Sequence, residues 1–500
     1  MSLRFHNTLS GRVEDFAPLK DHQVRMYTCG PTVYDYAHIG NFRTFVFQDV
    51  LRRFLKYRGF EVLQVMNLTD VDDRTIENSK AAGMSLRDYT SKYIQAFEVD
   101  QELLSLERPE IFIRATDCID DMVKLIQTLI EKGYAYTSDG SVYFRVSAFK
   151  DYGKLAKIDF SGIRAWARVD TDKYDKDNAS DFVLWKAAKP GEPFWDTPLG
   201  PGRPGWHIEC SVMSMKYLGE TFDIHSGGID LVFPHHENEI AQSEAATGKP
   251  FVRFWLHSEH LMVNGAKMAK SAGNFYTLRD LIAQGHKPNA IRYLLASAHF
   301  RMPLNFTMEG LQQAQKSLER LRNFHYRLTQ EKFPQGESAE LKARAEAARV
   351  AFEEALDDNL NTAAALAAVF DLVRDGNTAM DQGRFPDGNR REYLEMLGRW
   401  DRIFAVLEDN DYEKLKKHGF IKEGVEFVKA VSKTQAAGNG DESAAVIEAL
   451  GEQEIESRIA ARESARRKGE YGRADEIRKE LLKAGVILED TKAGTRWKRK

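Results

Sequence analysis

The sequence predicts an α/β fold at the N-terminal end, followed by a bundle of helices and a small C-terminal module of helices and strands. Three observations predict this arrangement. Residues 24–66 read as strand, loop, helix and strand, which is typical of half of a parallel nucleotide-binding sheet. Alternation of strands and helices resumes near residue 221. From about residue 285 onward the apolar residues recur at helical spacing.

The turn TCGPTVYDYAHIGN, residues 28–41, holds the densest set of chemically useful side chains. A strand pattern at 24–27 precedes this turn, a helical pattern at 42–55 follows it, and a second strand pattern lies at 61–66. A strand-to-helix turn can direct backbone N–H groups and a helix N-terminus at one anionic ligand. The alternative interpretation is that its glycines only shape the turn.

Helical and hairpin patterns interrupt the sheet after the second strand, so we interpret residues 75–205 as a large insertion. Just before it, NLTDVDD at 67–73 predicts a helix start with Thr69 or Asp70 as the N-cap. The insertion patterns are a helix at 86–106, a helix at 117–132, a hairpin at 134–146 and ordered loops at 165–204.

The second half of the chain begins with another strand-helix-strand pattern. Its predicted parts are a strand at 222–225, a helix at 235–246 with Pro234 as its first residue, and a strand at 251–262. Helices are then expected at 311–325, 341–357, 361–380 and 389–407. The stretch 433–443, KTQAAGNGDES, has the composition of a flexible linker. The terminal module should contain helices at 452–468 and 472–483 and strands at 486–488 and 494–497.

Composition limits the function classes. The 500 residues are 43% hydrophobic and carry a net charge of −4, so any polyanion-binding surface must be local. No apolar run reaches the roughly 18 residues of a membrane span, and no secretory signal is visible. Three cysteines are too few for a disulfide framework, and a reducing cytoplasm is expected.

The C-terminal residues are locally basic. Residues 461–500 hold 13 Lys/Arg against 7 Asp/Glu, and Trp497 among them could stack on an unpaired base.

A metal site is one interpretation of four scattered residues. Cys29, Cys210, His235 and Glu239 supply two thiolates, an imidazole and a carboxylate, all acceptable zinc ligands. His235 and Glu239 are four residues apart and would share one helix face, although His236 is also a neighbour of Glu239. The alternative is a buried thiol at each cysteine and a solvated, charged helix.

A phosphate site is the interpretation of two further segments. His38-Ile-Gly40-Asn41 would lie at the N-terminus of the first helix, and Lys267 and Lys270 on a glycine-flanked loop after a late strand. A helix dipole, an imidazole and two ammonium groups suit a triphosphate that is attacked at its α-phosphorus while pyrophosphate leaves. A short lysine-rich loop alone is usually only a solvated surface.

Taken together, these segments resemble the cysteinyl-tRNA synthetase family of class I aminoacyl-tRNA synthetases. The resemblance runs along nearly the whole chain. It is carried by FHNTLSG, MYTCGPTVYDYAHIGN, NLTDVDD, DFVLWK, GRPGWHIECS, FDIHSGGIDLVFPHHENEIAQSEA, KMAKSAGN and the terminal ADEIRKEL, GVILED and GTRW.

The resemblance implies a Rossmann catalytic domain at 1–285 with the insertion at about 75–205, a helical stem-contact domain at 286–410, a linker region at 411–450 and an anticodon-binding module at 451–500. It implies ATP-dependent attachment of L-cysteine to tRNA(Cys) through cysteinyl-adenylate, with one zinc ion and with Mg²⁺ beside ATP, by a monomer. The implied zinc ligands are Cys29, Cys210, His235 and Glu239. The implied cysteine pocket contains Cys29, Gly30, Thr69 and Trp206. The implied ATP and catalytic residues are His38, Gly40, Asn41, Lys267, Lys270 and Ser271.

Two positions depart from the family pattern. Asn41 stands where the HIGH-like motif usually has histidine, and an amide cannot carry a proton. Ala269 stands where the KMSKS-like loop usually has serine, which removes one hydroxyl and keeps both lysines. We therefore expect an altered ATP affinity and a doubtful acid–base role for Asn41.

The chemistry of zinc explains the expected selectivity. A pocket cannot reject serine strongly by size, but a soft thiolate binds zinc in preference to a hydroxyl, so no editing domain should be needed.

One alternative function is that of a cysteine ligase with a small amine as acceptor, against which the basic module after 450 argues. Another is a non-catalytic RNA-binding protein, which would not need Cys29, His38 or Lys270.

Overall fold

The computed structural model describes residues 2–158, 181–269, 273–421, 452–467, 470–483, 486–491 and 494–499. The chain divides into two compact units, one of Met1–Thr277 with Asn289–Glu408 and one of Leu278–Pro288 with Asp409–Lys500. None of the helices in these described ranges has the length and apolar character needed to cross a membrane.

The strands of both units follow in chain order. They are β1 (Arg4–Asn7), β2 (Arg12–Asp15), β3 (Gln23–Thr28), β4 (Glu61–Leu68), β5 (Ile111–Arg114), β6 (Ala135–Ser138), β7 (Ser141–Phe144), β8 (Phe182–Ala187), β9 (Gly202–Pro204), β10 (Phe222–Gly228), β11 (Val252–Ser258), β12 (Leu261–Val263), β13 (Ala266–Lys267), β14 (Leu304–Phe306), β15 (Val486–Thr491) and β16 (Gly494–Arg499).

The helices are numbered in the same way. They are α1 (Ile39–Tyr57), α2 (Asp73–Ala81), α3 (Leu86–Leu103), α4 (Ile119–Glu131), α5 (Trp206–Leu218), α6 (Glu237–Thr247), α7 (Leu278–Ala283), α8 (Pro288–Ser297), α9 (Met308–Gln330), α10 (Ala339–Asp357), α11 (Thr362–Asp381), α12 (Arg390–Phe404), α13 (Asp411–Lys417), α14 (Glu452–Arg467) and α15 (Tyr471–Lys483).

A five-stranded parallel sheet forms the centre of the first unit, which confirms the predicted α/β class. Its strand order is β11-β10-β3-β4-β5. The chain runs outward from β3 in one direction and from β10 in the other, so the strand order reverses between these two neighbours. Open α/β sheets bind their ligands at the carboxyl ends of the strands at such a point.

Helix α1 follows β3, as the apolar spacing predicts. Its apolar positions Phe42, Phe45, Val46, Val50 and Phe54 are all buried. The helix begins three residues earlier than predicted because His38 and Asn41 form a reciprocal capping box: each side chain accepts from the backbone N–H of the other residue.

The middle of α1 is joined to the helical region of the same unit by a buried ion pair. Asp49 on α1 accepts from the guanidinium of Arg292 on α8, and both side chains are almost inaccessible to solvent. The same guanidinium donates to the carbonyl of Phe404, the last residue of α12, and to that of Leu104. Burial of a charge requires such complete pairing.

The insertion is an antiparallel sheet with the order β6-β7-β8-β9. The predicted range of 75–205 is too long, because β5 lies inside it and pairs in parallel with β4. Strands β8 and β9 also correct the prediction of loops throughout 165–204, while the part of that range up to 180 lies outside the described residues.

Two further local predictions are wrong, each because a tertiary contact overrides a local signal. Asp72, and neither Thr69 nor Asp70, caps α2, since the latter two side chains bind Glu209 and Thr116. The strand expected at 251–262 is two strands, because β12 turns away to pair with β14. The predicted helix start at Pro234, by contrast, agrees with the structure: Phe233 is extended (φ −138°, ψ 132°), and the residues from Pro234 to His236 form a π-helical turn that continues into α6.

Helices α9 to α12 confirm the predicted helical pattern of 308–407 and belong to the same compact unit as the parallel sheet. In the second unit, α14, α15 and the antiparallel hairpin β15–β16 surround a small apolar core. Trp497 packs against this core and is half-buried. The predicted linker at 433–443 lies outside the described residues.

Candidate active site

The end of β3 brings the turn 28–41 close to both neighbouring strands. The backbone N–H of Cys29 donates to the carbonyl of Ser226 on β10 at 3.1 Å. The N–H of Gly30 donates to the side chain of Asn67 on β4 at 2.9 Å. A Cβ at Gly30 would lie 1.9 Å from the backbone oxygen of Asn67, so only glycine fits here.

The four predicted metal ligands converge in this place. One ligand atom from each of Cys29, Cys210, His235 and Glu239 lies within 4.8 Å of the other three, and all four residues are buried. Cys29 comes from the end of β3, Cys210 from α5 and Glu239 from α6. The Nε2 atom of His235 is 3.1 Å from the Glu239 Oε1 atom.

A second group of possible ligands overlaps the first. Cys29, His225, His236 and Glu239 also place their ligand atoms within 4.8 Å of one another. His236 Nε2 lies 3.3 Å from the sulfur of Cys29 but 3.9 Å from Glu239 Oε1. His235 is thus the nearer imidazole to this carboxylate oxygen, and the sulfur of Cys210 completes only the first group.

Burial controls the protonation of these groups. Desolvation raises the pKa of Cys29 and of Cys210 above that of an ordinary thiol. It raises the pKa of Glu239 to about 8, against a smaller opposing effect of His235, and lowers the pKa of His235 to about 3. The site therefore disfavours negative thiolates and a negative carboxylate unless a bound cation compensates, and it keeps the imidazoles neutral, which is the form that binds a metal.

Outer hydrogen bonds orient the imidazoles. His235 Nδ1 lies 2.9 Å from His207 Nδ1, and His225 Nε2 lies 2.9 Å from Glu239 Oε2. His236 Nδ1 contacts His257 Nε2 at 2.7 Å. His207, His225 and His257 were not among the predicted site residues. One feature could have identified them as site residues: each one lies at or near the end of a strand of the sheet or at the start of α5.

The donor set fits zinc. Within the described part of the chain, the buried Glu239 Oε1 atom accepts no hydrogen bond, although His235 Nε2 is only 3.1 Å away. A buried carboxylate oxygen without a donor, next to an imidazole nitrogen, is suited to share a cation with it. Two sulfurs, one imidazole nitrogen and one carboxylate oxygen match the ligands that zinc prefers.

Thr69 and Trp206 border the cluster. The Thr69 hydroxyl donates to Glu209 Oε2 at 2.9 Å, and Glu209 is fully buried beside Cys210 on α5. The indole of Trp206 stacks on the imidazole of His235. Trp206 remains 39% exposed, so it lies between the buried cluster and solvent.

The two segments predicted to bind phosphates also meet. A Cβ at Gly40 would lie 2.9 Å from the His38 ring and 3.2 Å from the end of the Met268 side chain. The N–H of Ile39 donates to the carbonyl of Tyr276 at 3.0 Å. Lys267, on β13, is exposed. Lys270 and Ser271 lie outside the described residues.

The two departures from the family pattern have structural counterparts. The Asn41 side chain accepts from the N–H of His38 at 3.1 Å as part of the α1 cap. The N–H of Ala269 donates to Asn274 Oδ1 at 2.9 Å, and the Asn274 amide donates to the carbonyl of Lys267 at 3.2 Å. Backbone contacts therefore hold this part of the loop without a hydroxyl at position 269.

Three family models match the chain. The model described as "tRNA synthetases class I (C) catalytic domain" matches residues 15–316. The model "DALR domain" matches 351–407, and "Cysteinyl-tRNA ligase anticodon binding domain" matches 452–497.

Similar proteins were found by sequence and by structure. A cysteine–tRNA ligase of Solibacter usitatus is 55% identical over the full length of both chains, and one of Koribacter versatilis is 52% identical, again over both full lengths. The structure of Mycobacterium tuberculosis methionyl-tRNA synthetase in complex with methionyl-adenylate has a TM-score of 0.60 at 16% identity, over 82% of this chain and 96% of that one. The last similarity concerns the fold alone.

Proposed function

The chain belongs to the cysteinyl-tRNA synthetases and is a cysteine–tRNA ligase, and from this premise we propose how its residues carry out the charging of tRNA with cysteine. In the first proposed step, the cysteine carboxylate attacks the α-phosphorus of ATP, which forms cysteinyl-adenylate and releases pyrophosphate. In the second step, the terminal ribose of tRNA(Cys) takes the cysteinyl group and releases AMP.

The convergence of Cys29, Cys210, His235 and Glu239 at the switch point of the sheet is the observation that carries this proposal. We propose that these four residues hold one zinc ion. When bound, zinc supplies a soft Lewis acid that prefers the thiolate of cysteine to the hydroxyl of serine and lowers the thiol pKa. A separate editing site is then unnecessary.

The residues around the cluster position the amino acid. Gly30 lets the chain pass close to β4, which brings the turn after β3 beside Thr69. Thr69 is held by Glu209 and can orient a polar group of cysteine. Trp206 forms a wall between His235 and solvent, so it excludes water from the reacting groups.

The N-terminus of α1 and the loop after β13 are proposed to bind ATP. His38 Nδ1 accepts from the Asn41 N–H at 3.1 Å, so the imidazole proton of the neutral ring lies on Nε2, where it can donate to a phosphate oxygen. Asn41 acts through this cap on His38. Gly40 allows the close approach of the two segments, and Lys267, Lys270 and Ser271, with Mg²⁺, are proposed to stabilise the departing pyrophosphate.

The remaining parts of the chain are proposed to bind tRNA(Cys). The helical region 286–410 would contact the stem, and the module at 451–500 would read the anticodon. The match of the anticodon-binding family model at 452–497 supports tRNA as acceptor over a small amine. We further propose a monomer that works in a reducing cytoplasm, which agrees with three buried, free cysteines.

Cysteine-dependent ATP–pyrophosphate exchange, tRNA charging and metal content together test this function. One tightly bound zinc per chain, exchange with cysteine and little exchange with serine are expected. Lys270→Ala should slow exchange, because it removes about 2–4 kcal/mol of transition-state stabilisation. Its zinc content should not change. A metal-free protein that activates cysteine, or hydrolysis of a misformed Ser-tRNA by the enzyme, would contradict the proposal.

A further inference from the structure

Three sequence motifs meet in one ionic cluster next to the cysteine pocket. NLTDVDD contributes Asp73, DFVLWK contributes Lys186, and GRPGWHIECS contributes Arg203. Lys186 Nζ lies 3.0 Å from Asp73 Oδ2, and the Arg203 guanidinium pairs with Asp73 Oδ1. The proposed function uses other residues of these motifs and leaves this cluster unexplained.

The carboxylate of Asp73 lies between two cations. Lys186 and Arg203 are directly opposite each other on the antiparallel strands β8 and β9, where two like charges repel. Both are buried, with side-chain exposures of 8% and 3%. Glu192, at 3.4 Å, is a further partner of Arg203. Although burial opposes it, the two cations hold the pKa of Asp73 at about 2, so the carboxylate is charged at neutral pH.

The cluster lies between two structural elements of the proposed cysteine pocket. On one side, Asp73 is four residues after Thr69. On the other side, β9 leads through Gly205 into Trp206, the first residue of α5. The N–H of Gly205 donates to the carbonyl of Leu184 on β8 at 2.9 Å, and a Cβ at Gly205 would lie 2.3 Å from the Val183 oxygen. The position of β8 therefore fixes the start of α5.

A second link joins the same two elements. Thr69 donates to Glu209, which is one turn after Trp206 on α5. The segment 69–73 and the β8–β9–α5 segment are thus tied at two points, with Trp206 and its stacking partner His235 beside them. A change at the Asp73 tie should displace the pocket wall without removing any group proposed to touch cysteine.

We propose that Asp73 is a positioning residue for the cysteine pocket: its carboxylate fixes β8 and β9 against the loop that carries Thr69 and thereby places Trp206 over His235. This inference rests on the proposed cysteine pocket. Asp73 is not one of the residues proposed to hold ATP or zinc, so its removal should act on cysteine alone.

The test compares full-length, zinc-loaded variants in ATP–pyrophosphate exchange. Asp73→Asn should raise the KM for cysteine roughly tenfold, since small displacements of a positioning group have effects of this order or larger. The KM for ATP and the zinc content should not change. Asp73→Glu, which keeps the charge, should restore most of the loss. Acrylamide quenching of Trp206 fluorescence, obtained by subtraction of a Trp206→Phe protein, should increase in Asp73→Asn.

Asp121 provides a matched control at the other end of α5. It pairs with Lys216 on that helix at 2.8 Å, so Asp121→Asn removes an ion pair of α5 away from Trp206 and should leave the KM for cysteine unchanged. An equal effect of both variants, or an unchanged cysteine KM in folded Asp73→Asn, would overturn the inference. If Asp73→Asn does not fold, Arg203→Lys takes its place with the same expected result, because lysine cannot reproduce the guanidinium fork.

The wild-type enzyme separates this inference from the proposed function. Wild-type protein that lacks zinc or activates no cysteine would contradict the proposed pocket itself. Zinc-loaded, active wild type beside an unaffected Asp73→Asn variant would contradict the positioning role alone.

Discussion

The indole of Trp206 stacks on the imidazole of His235 with ring centroids 4.2 Å apart and the planes inclined by 23°. One face of His235 is therefore covered, and His207 lies 2.9 Å from its Nδ1 atom. The Nε2 atom is left to face Glu239 and the two thiols. Contacts with Trp206 and His207 hold the imidazole in this direction, as the outer contacts of a metal-binding histidine do.

Replacement of Cys29 tests the metal assignment most directly. Cys29→Ser should lose zinc and cysteine activation together, because a hydroxyl is a poor zinc ligand. Metal analysis by mass spectrometry and ATP–pyrophosphate exchange measure the two effects. Cys118→Ser is the control, since Cys118 is also buried but lies outside both groups of possible ligands. Full zinc content in Cys29→Ser would contradict the assignment.

Zinc binding should depend on pH in a direction set by Glu239. Burial raises the pKa of Glu239 to about 8, so below that pH zinc must displace a proton from this carboxyl as well as the protons of Cys29 and Cys210, whose pKa burial also raises. His235, with a pKa lowered to about 3, is neutral throughout. The stabilisation that zinc gives, detected as an increase in Tm, should therefore grow between about pH 6 and pH 8, by up to about 1.4 kcal/mol of unfolding free energy per pH unit for each displaced proton. A zinc effect independent of pH would contradict this coupling.

Gly40 should tolerate no side chain. In Gly40→Ala the new Cβ would press on the His38 ring at 2.9 Å, which would disturb the α1 cap and slow adenylate formation by about 10²-fold. Gly398 is the control: it is exposed on α12, and a Cβ there would meet none of the described atoms within 4 Å. Gly398→Ala should instead raise stability by roughly 0.5–1 kcal/mol. A normal rate of ATP–pyrophosphate exchange in Gly40→Ala would contradict the requirement for glycine at this position.

A shortened chain should separate activation from charging. Residues 409–421 belong with Leu278–Pro288 in one compact unit, where Arg279 lies over the Phe420 ring at 5.3 Å. A cut after Ile421 keeps these contacts and removes the terminal module. The shortened enzyme should retain cysteine-dependent exchange and lose most charging of tRNA. Charging equal to that of the full chain would exclude an anticodon role for residues 452–497.

Tyr471 is a better candidate than Trp497 for stacking on a base. Tyr471, at the start of α15, is 67% exposed, whereas Trp497 packs on the core of its module. Tyr471→Ala should lower kcat/KM for tRNA by an amount that corresponds to about 1–3 kcal/mol of lost stacking free energy. The stability of the module should not change. Tyr471→Phe should retain most activity. Trp497→Ala should lower the stability of the module, and a stable Trp497→Ala with a specific tRNA defect would reverse the assignment.

Local periodicity was enough to predict much of the fold. The apolar spacing of α1 and of α9–α12 is a property of neighbouring residues, and these helices agree with the pattern. Features that depend on distant partners were not predictable. The start of α2 after Asp72 and the division of the 251–262 strand follow from tertiary contacts that no local signal encodes.

The candidate site likewise has features that local sequence could predict and features that it could not. Spacing alone could not choose between His235 and His236, because both are neighbours of Glu239 on a helix. The family resemblance supplied that choice, and the structure adds that His235 lies nearer the Glu239 oxygen while His236 contacts His257. The Asp73 cluster joins residues up to 130 positions apart, so it could be recognised only in three dimensions.

The buried pair of Asp49 and Arg292 has a mechanical consequence. It fastens the catalytic helix α1 to α8 and to the end of α12 in one compact unit. The N-terminus of α1, where ATP is proposed to bind, and the helices proposed to meet the tRNA stem therefore share one frame of reference. The distance between the proposed ATP site and the helices proposed to bind the tRNA stem is therefore held constant.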